Sequence, residues 1–480
     1  MKRAKKLMIT GAFLIVAALQ VGAQIPNSLF FMPGVPQSNR INPAIQPGCG
    51  LYLGMPGLSP LRLQISSSSL AFQDLIYYNS ELGVPITAFH PLGDQEAFLA
   101  NLTDVNYMLG SLGTSILSMG FRAGKSFISF DLTTRVDANF YYPKGLFELP
   151  IYGLTDGETR SFNGMGVDLT AFVETSLGWS RKDLIIPNLD VGVRAKFLSG
   201  LANINTVNSV MEVTTSSDAI TLNSELEINA AAPSMITITA SDSSLIPDID
   251  MDDTYFSTAT PVDIAKAVLL DNSGFGVDIG INYQPIPQLM VSASVLDIGY
   301  INWNNTVTGG MDFAYDFIGV NVNPFTGMDT TFIQEMLDSA QTSVSVTAGQ
   351  AYRSTLNTKL FIGASFYPIE KVGFGLLSRT DFLNDKISQQ FTATANMTTG
   401  RFINLSLSYT YMTVSPKNFG AGLSINAGPF NLYVISDNII SGALWPTETQ
   451  SVNLWFGMNL CFGYRVDKKT PPPKDRPLIL

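Results

Sequence analysis

The sequence predicts an all-β fold: a transmembrane antiparallel β-barrel of about 14 strands, within a range of about 12–16, with an N-terminal segment in its lumen and a few short helices. Three observations lead there. Long stretches alternate between apolar and polar residues. Only 14% of the chain is charged while 46% is apolar, and no apolar run after residue 23 is long enough for a membrane helix. A large soluble β-sandwich could share the composition, so the alternation decides the fold class.

Residues 1–23 have the layout of an export signal. Four cations within residues 2–6 precede an apolar run over residues 7–19, and small residues at 21–23 suit cleavage before Gln24. The alternative is a transmembrane anchor, which needs about 20 spanning residues, more than this run supplies. We therefore expect a signal peptide that delivers the chain across the inner membrane.

The clearest strands lie in the C-terminal half. Between Ile403 and Tyr411 every second residue is large and apolar, and residues 452–464 repeat the pattern. A period of two is typical of a strand with one apolar and one polar face, and several candidates reach the ~9–11 residues of a tilted membrane-spanning strand. Further candidates lie at or near 116–122, 127–140, 166–174, 189–197, 206–215, 218–230, 275–283, 289–298, 343–352, 359–367, 371–380, 386–397, 419–427 and 430–437.

Charged residues inside these strands fall on the polar side of the alternation. This holds for Asp131 and Arg135 in one strand and for Asp190 and Arg194 in another. Because a charge facing lipid at the midplane costs ~2–4 kcal/mol, we expect all four side chains to face the lumen. The polar side also carries glycines that would leave room inside or let a plug approach the wall: Gly276, Gly280, Gly420 and Gly422.

Several stretches do not fit the barrel predicted for residues 61–465. Residues 24–60 are rich in Pro, Gly and Asn and are expected to line or plug the lumen, where Asn42-Pro43-Ala44 could shape the plug; an ordinary turn before the first strand is the alternative. Long loops are expected near 241–270 and 305–340, the first of them acidic over 241–260, and short helices at 93–105 and 261–270. A Pro-rich tail, residues 466–480, is predicted to hang in the periplasm.

Aromatic residues offer a prediction about the membrane boundary. We expect an aromatic girdle at the membrane interface, formed by Trp303, Trp445 and the Tyr141-Tyr142 pair. The more specific alternative is that these rings stack on a ligand.

Composition excludes some classes of function. The net charge of −11 becomes −15 once the four cations of residues 1–23 are removed, and an acidic surface repels nucleic acid. His90 is the only histidine, and no nucleophile motif, CxxC cluster or phosphate loop is present, so we predict a non-enzyme without a cofactor. Cys49 and Cys461 could form one long-range disulfide or remain two unrelated thiols.

An acidic run invites a calcium hypothesis. Asp248, Asp250 and Asp252 have the spacing that opens a calcium-binding loop. However, Asp253 stands where such a loop needs Gly, and Ala259 stands where it needs Glu. The departures favour a solvated acidic loop, and we predict no metal site.

Several motifs resemble known outer-membrane proteins. The opening, Ser28–Met32 followed by Asn39–Ala44, resembles FadL/PorV-type barrels. Most of the mature chain is similar to an uncharacterised outer-membrane barrel family of Bacteroidota, a domain of unknown function. The similarity covers that opening, the hairpin of residues 116–140 with Pro143 after it, residues 299–303 and the closing run 419–438. The closing run also resembles the PorP/SprF barrels of gliding and type 9 secretion.

The resemblance implies an outer-membrane location, with outer-membrane lipid as a partner. FadL-type barrels carry hydrophobic small molecules through a lumen plugged by the N-terminus, whereas PorV-type relatives hold or shuttle secreted proteins. The leading hypothesis is therefore a FadL-like channel for hydrophobic small molecules. The alternative is a component that binds secretion or envelope proteins within an outer-membrane assembly for type 9 secretion, gliding or envelope biogenesis. A passive structural barrel is the third hypothesis.

Overall fold

The protein forms a closed antiparallel barrel with fourteen strand positions, which confirms the predicted fold class and strand number. The computed structural model describes residues 26–32, 34–80, 82–239, 248–317, 322–323, 327–328, 338–340, 342–369, 371–383, 386–399, 402–412, 415–444 and 450–463. The predicted signal peptide (1–23) and tail (466–480) lie outside the described residues. In the described part of the chain, no helix is both long and apolar enough to cross a membrane.

The wall strands follow one another around the barrel in chain order. They are β1 (Leu51–Gly54 and Leu61–Ser67), β2 (Val105–Ala123), β3 (Ser126–Pro143), β4 (Gly166–Arg181), β5 (Leu189–Thr215), β6 (Ser273–Ile286), β7 (Leu289–Trp303), β8 (Lys359–Ile369), β9 (Val372–Leu383), β10 (Lys386–Thr399), β11 (Ile403–Met412), β12 (Ser415–Ala427), β13 (Phe430–Ser436) and β14 (Ser451–Phe462).

The barrel closes where β1 pairs with β14. Leu53 lies opposite Leu460, and Leu63 lies opposite Leu454. Both parts of β1 also pair with β2, so residues 55–60 interrupt a single wall strand. The predicted barrel start at residue 61 is therefore wrong. Residues 51–54 already carry hydrogen bonds from both neighbouring strands, although they are too few to show an alternating pattern in the sequence.

Strand β5 extends beyond the wall. Its first part, through Ser199, pairs with β6, and Asn203–Thr215 pairs with a further strand, Ile220–Ala231. That strand pairs with Thr306–Phe317, which pairs in turn with Val344–Ala348. The prediction of a loop at 305–340 is therefore wrong over Thr306–Phe317. The residues of this strand do alternate, with Met311, Phe313, Tyr315 and Phe317 on one side, but two glycines precede them and the strand pairs with a partner distant in sequence.

The two ends of the barrel differ in their connections. Short turns such as Gly124-Lys125 join strands at the end where β1 begins and β14 ends, here called the turn end. Long connections with most of the remaining elements lie at the opposite, loop end. Its helices are Phe72–Leu75, Gln95–Ala100, Gly145–Tyr152, Asp253–Thr258, Pro261–Leu270 and Ile439–Leu444, and its short strands are Ile76–Asn79, Val84–Thr87, Thr159–Ser161, Ile236–Thr239, Asp248–Met251, Val322–Asn323, Gly327–Met328 and Tyr352–Thr355.

Two of these helices lie where short helices were predicted, within 93–105 and at 261–270. The acidic stretch predicted as a loop at 241–260 instead contains the strand Asp248–Met251 and the helix Asp253–Thr258. The Asp252 carboxylate accepts hydrogen bonds from the backbone N–H groups of Thr254 and Tyr255, which caps that helix.

The outer and inner faces of the wall separate by residue type. On β6, the outward side chains are apolar and 39–58% exposed: Phe275, Val277, Ile279, Ile281 and Tyr283. Their neighbours Asp278 and Asn282 point inward and are buried. An apolar band outside and a polar lining inside is the arrangement of a membrane barrel.

The aromatic girdle prediction is wrong for Trp303. Its side chain is fully buried, and its indole N–H donates to the Ser354 hydroxyl at 2.8 Å. Tyr142 is also buried, with its hydroxyl 3.1 Å from that of Ser69. Both rings point inward at the loop end and pack under the connections there. The alternation of apolar and polar residues does not distinguish such inward rings from the rings of an aromatic girdle. Trp445 lies outside the described residues.

Candidate functional site

Residues 26–49 run through the inside of the barrel and are called the lumen segment here. Every described residue of it is buried except the half-buried Gly34 and Gly48. Side chains from opposite walls reach it: Asn27 donates to Gln390 of β10 at 3.0 Å, and Arg40 contacts Asp131 of β3 at 2.8 Å. The segment therefore fills the centre of the lumen.

Two 3-10 turns, Asn27–Phe31 and Pro36–Arg40, give the lumen segment its local structure. Its backbone makes its own hydrogen bonds, such as Val35 N–H to the Met32 carbonyl at 3.0 Å. Buried backbone groups need partners, and a segment that joins no strand has to find most of them within itself.

The first part of the segment, Asn27–Met32, packs against an apolar region of the wall. The Phe30 ring stacks on Phe361 with centroids 6.0 Å apart. Gly422 lies so close that a Cβ there would be 2.7 Å from the Met32 sulfur. The wall side chains of this buried cluster are Leu296, Phe361, Leu377, Tyr433, Ile435 and Trp455.

Polar contacts hold the beginning of this part. The Ser28 hydroxyl donates to the Asp437 carboxylate at 2.6 Å, and the Asn27 backbone N–H also donates to Asp437. On the other side, Arg379 Nη1 donates to Asn27 Oδ1 at 3.2 Å. Asp437 and Arg379 therefore hold the first 3-10 turn from two sides of the lumen.

The second part, Gln37–Gln46, meets charged side chains. Arg40 Nη2 is 2.8 Å from Asp131 and donates to the hydroxyls of Ser115 and Thr133 at 3.0 and 2.8 Å. Arg194 Nη2 lies 3.7 Å from the same carboxylate. The predicted lumen residues Asp131 and Arg194 are thus brought together around Arg40, a residue of the segment itself.

A denser group of charges adjoins this contact, towards the loop end. Lys196 Nζ lies 2.6 Å from Asp297 and 2.7 Å from Asp278. The predicted residue Arg135 lies 3.1 Å from Asp297 and 3.3 Å from Glu174. Opposite charges are interleaved here, which is what a buried charge cluster requires.

The alternation of apolar and polar residues could not predict that Asp297 faces the lumen. A register shift in the pairing of β6 with β7 creates a bulge, and Asp297 adopts a φ of 59° within it. The bulge turns both Leu296 and Asp297 into the lumen, although adjacent strand residues normally face opposite sides. Lys196, Glu174 and Asp278 do lie on the polar side of their strands. The alternation of the sequence could therefore have identified them as lumen residues.

Asn42-Pro43-Ala44 sits in a notch made by two glycines. Gly192 of β5 and Gly280 of β6 lie opposite each other in register. A Cβ on Gly192 would lie 2.2 Å from the Pro43 backbone, and one on Gly280 would lie 2.1 Å from Asn42 Oδ1. Asn42 Nδ2 donates to Asn282 Oδ1 at 2.8 Å, and Asn42 Oδ1 accepts from the Ala44 N–H at 2.9 Å. The motif is therefore seated directly on the wall.

The remaining candidate residues lie elsewhere. Asp190 is at the turn end, where it accepts a hydrogen bond from the Asp183 N–H at 3.1 Å, away from the charge cluster. His90 lies in a loop-end turn, where its Nδ1 accepts from the Leu92 N–H at 3.1 Å. Among the described residues, no group of three His, Cys, Asp or Glu side chains is placed to hold a metal ion.

A cavity of about 80 Å³ lies among wall side chains, one of which, Arg379, also bonds to Asn27 of the lumen segment. Its charged lining consists of Arg62, Arg135, Lys359, Arg379, Asp137 and Asp381. Arg62 is only 8% exposed. Within the described part of the chain, its Nε and Nη2 atoms have no hydrogen-bond partner. Its guanidinium carbon lies 5.5 Å from the centre of the Trp455 ring.

A second cavity, of about 210 Å³, continues towards the loop end and shares Asp137, Asn139 and Asn357 with the first. Its further lining includes Asn203 and Tyr352. The two cavities are therefore adjacent, and together their polar linings extend from the loop end to Arg62 and Arg379.

The fold has counterparts among solved structures, all at low sequence identity. The Pseudomonas putida toluene transporter TodX is 8% identical and has a TM-score of 0.39, with 92% of this chain and 93% of that chain covered. CymD, a monoaromatic hydrocarbon channel, is 10% identical (TM-score 0.36; 93% and 98% covered). The Ralstonia pickettii toluene transporter TbuX is 9% identical (TM-score 0.31; 89% and 94% covered). No curated protein matches the sequence.

A family model matches residues 43–437, from Pro43 in the glycine notch to Asp437, which holds the first 3-10 turn. The match covers most of the chain and confirms the predicted similarity to a domain of unknown function. The PorV, PorP/SprF and Bacteroidota parts of the resemblance stay predictions. The chain belongs to DUF5723, a family of unknown function.

Proposed function

We propose that this protein is an outer-membrane passage for small hydrophobic molecules that carry an anionic group, and that the lumen segment is its gate. The loop end faces outside and the turn end faces the periplasm, following the usual arrangement of long and short connections in such barrels. The observation that carries the proposal is the cationic cavity at Arg62, which is linked to the lumen segment through Arg379.

The anionic part of the ligand follows from Arg62. A buried polar group without a partner is costly, and a buried cation more so. Four cationic side chains line the cavity against two carboxylates, so a carboxylate or phosphate there would be attracted. The Arg62 guanidinium, whose Nε and Nη2 lie beside Gly113 without partners among the described residues, could turn to donate to it. The cavity volume of about 80 Å³ suits such a head group rather than a whole molecule.

The hydrophobic part follows from what lies beside the cavity. Trp455, under the Arg62 guanidinium, belongs to the apolar cluster that packs against Asn27–Met32. If this part of the segment moves, it uncovers a continuous apolar surface next to the head-group site. A ligand with an apolar tail could then take the place of Phe30 and its neighbours.

Arg379 supplies a link between ligand and gate. It lines the cavity and also donates to Asn27 at the start of the lumen segment. An anion in the cavity competes with Asn27 for this guanidinium. Binding would therefore loosen the first 3-10 turn, whereas the contacts of Arg40 would remain.

The test compares decanoate with decanol as competitors for a fluorescent fatty-acid probe, 11-(dansylamino)undecanoate, on the purified barrel. Hydrogen bonds to a charged group contribute ~1.5–3 kcal/mol, so decanoate should displace the probe at least about tenfold better than decanol. The Arg62→Met variant should lose this preference and Arg62→Lys should keep part of it. Arg181→Met, which changes an exposed arginine at the turn end that lines neither cavity, is the matched control and should behave as the unaltered protein.

Equal displacement by decanoate and decanol would refute the anionic head-group site. Passage is tested separately by uptake of the probe into cells. Deletion of residues 26–46 should raise uptake of both the probe and a large polar dye, because a lumen of fourteen strands without the segment is wide enough for water. Unchanged uptake in this variant would contradict the gate.

The alternative, a component of an outer-membrane assembly, stays a prediction. A tail in the periplasm, as predicted for residues 466–480, would offer such a partner a binding segment, and it lies outside the described residues. The strands that extend β5 beyond the wall offer a second surface, and none of their described contacts favours one partner chemistry.

A further inference from the structure

Two cysteines meet at the seam where the barrel closes. Cys49 is the last residue of the lumen segment, and Cys461 lies in β14 near its end. They are 1% and 2% exposed and share a small buried cluster with Tyr52 and Phe127. Both are reduced thiols in the structure.

The strand pairing of the wall fixes the position of Cys461. Leu51 lies opposite Phe462, and Tyr52 lies opposite Cys461. The pairing continues just outside the strands, since the Gly50 N–H donates to the Phe462 carbonyl at 2.8 Å. The chain bends at residues 48–50, where the lumen segment joins β1, and this bend packs Cys49 into the same buried cluster as Tyr52 and Cys461.

We propose that Cys49 and Cys461 form a disulfide that covalently joins the base of the lumen segment to the last wall strand. The turn end would face the periplasm, a compartment in which disulfides form and persist. Because both side chains become buried, oxidation takes place during assembly, before the seam is sealed.

The oxidant is a disulfide carried by a periplasmic protein or a small molecule. One cysteine thiolate attacks the disulfide of the oxidant, which forms a mixed disulfide and releases one sulfur of the oxidant as a thiolate. The second cysteine thiolate then attacks the protein sulfur of the mixed disulfide. The Cys49 Sγ–Cys461 Sγ bond forms, and the oxidant leaves as a dithiol with the two electrons and, after proton exchange, the two protons that the cysteines gave up.

The bond would determine which part of the segment can move. Residue 49 would be fixed to β14, so that the segment could swing only from this point and could not leave through the turn end. The mobile part would then be the end that carries Asn27, farthest along the chain from the bond.

The first experiment counts thiols. The protein is extracted from membranes with N-ethylmaleimide present, unfolded in the same reagent without reductant, and weighed by mass spectrometry. We expect no maleimide on the chain, a peptide that links residues 49 and 461 after digestion, and two maleimides when reductant precedes labelling. Two maleimides without reductant would overturn the proposal and leave two packed thiols.

Cysteine variants provide an independent measurement. Reductant should lower the temperature at which the unaltered barrel loses its compact migration in detergent gels. Cys49→Ser, Cys461→Ser and the double variant should all show this lower temperature and no response to reductant. A double variant that still responds to reductant, or single variants whose losses add up, would contradict a bond between these two residues.

Discussion

Asn27–Met32 and Gln37–Gln46 belong to one short segment, yet the wall meets them with different side chains. The first part packs four consecutive apolar side chains, Leu29–Met32, into a buried cluster with Phe361 and Trp455, whereas the second part contributes Ile41 to it. The second part is held mainly by the Arg40–Asp131 ion pair and by the glycine notch around Pro43. The first part also bonds to a residue of the polar cavity, Arg379.

The difference separates two physical tasks. Apolar packing has little directionality, so a region held by it can be emptied and refilled by another apolar group of similar volume. An ion pair with fitted hydrogen bonds tolerates few geometries, and a buried charge that loses its partner is strongly disfavoured. We infer that Gln37–Gln46 positions the segment and that Asn27–Met32 is the part able to move.

The largest expected effect comes from breaking the positioning part. Arg40→Met leaves the buried Asp131 with Arg194 at 3.7 Å as its remaining cation, and removing one partner of a buried pair typically costs ~3–5 kcal/mol. We expect faster amide hydrogen exchange over residues 36–46. Adding Asp131→Asn should recover part of the loss, since no unpaired carboxylate then remains. Unchanged exchange over 36–46 would mean that this pair does not hold the segment.

A somewhat smaller effect is expected from the apolar part. Phe30→Ala removes the ring stacked on Phe361 and should cost about 3 kcal/mol, since part of the cavity can collapse. Exchange should then rise over residues 27–32 and stay slow over 36–46, with Phe30→Leu as the milder control. If either substitution speeds exchange through the whole segment, the two parts form one unit and the comparison fails.

The smallest effect concerns the glycine notch. Gly280→Ala places a methyl group 2.1 Å from Asn42 Oδ1 and should cost ~1–3 kcal/mol by overpacking. Gly276→Ala is a matched control on the same strand and the same face, because its nearest atom would lie 3.5 Å away, an ordinary contact. Thermal unfolding of the two variants measures the difference, and equal melting temperatures would argue against a tight seat for Asn42-Pro43.

The sequence predicted the wall well because a membrane barrel imposes its two environments on every strand. The alternation around Ile403–Tyr411 and Phe275–Tyr283 indicated strands with opposite faces, and the cost of a lipid-facing charge directed Asp131, Arg135 and Arg194 inward. For Asp190, which lies at the turn end, the same argument predicts the direction of the side chain but not its height in the barrel.

Other parts of the site were out of reach for physical reasons. Alternation has no information about a bulge, so Asp297 was missed. Arg40 lies in a segment without periodicity, and its partner comes from a strand far along the chain. Thr306–Phe317, by contrast, could have been predicted, because Met311, Phe313, Tyr315 and Phe317 alternate with small or acidic residues. The strand was nevertheless predicted to be a loop.

Strand β5 has a mechanical consequence. Its 27 residues rise about 3.3 Å each, which gives roughly 90 Å of unbroken backbone, several times the thickness of a membrane's apolar layer. The outer part pairs with Ile220–Ala231, and these strands form a ribbon that projects beyond the wall. The inner part carries Gly192, Arg194 and Lys196. A pull or a twist applied to the ribbon, by a neighbouring molecule or by flow, would travel along one covalent chain to the residues that hold Pro43 and Asp131. A force on these outer strands would therefore act on the residues that hold the lumen segment.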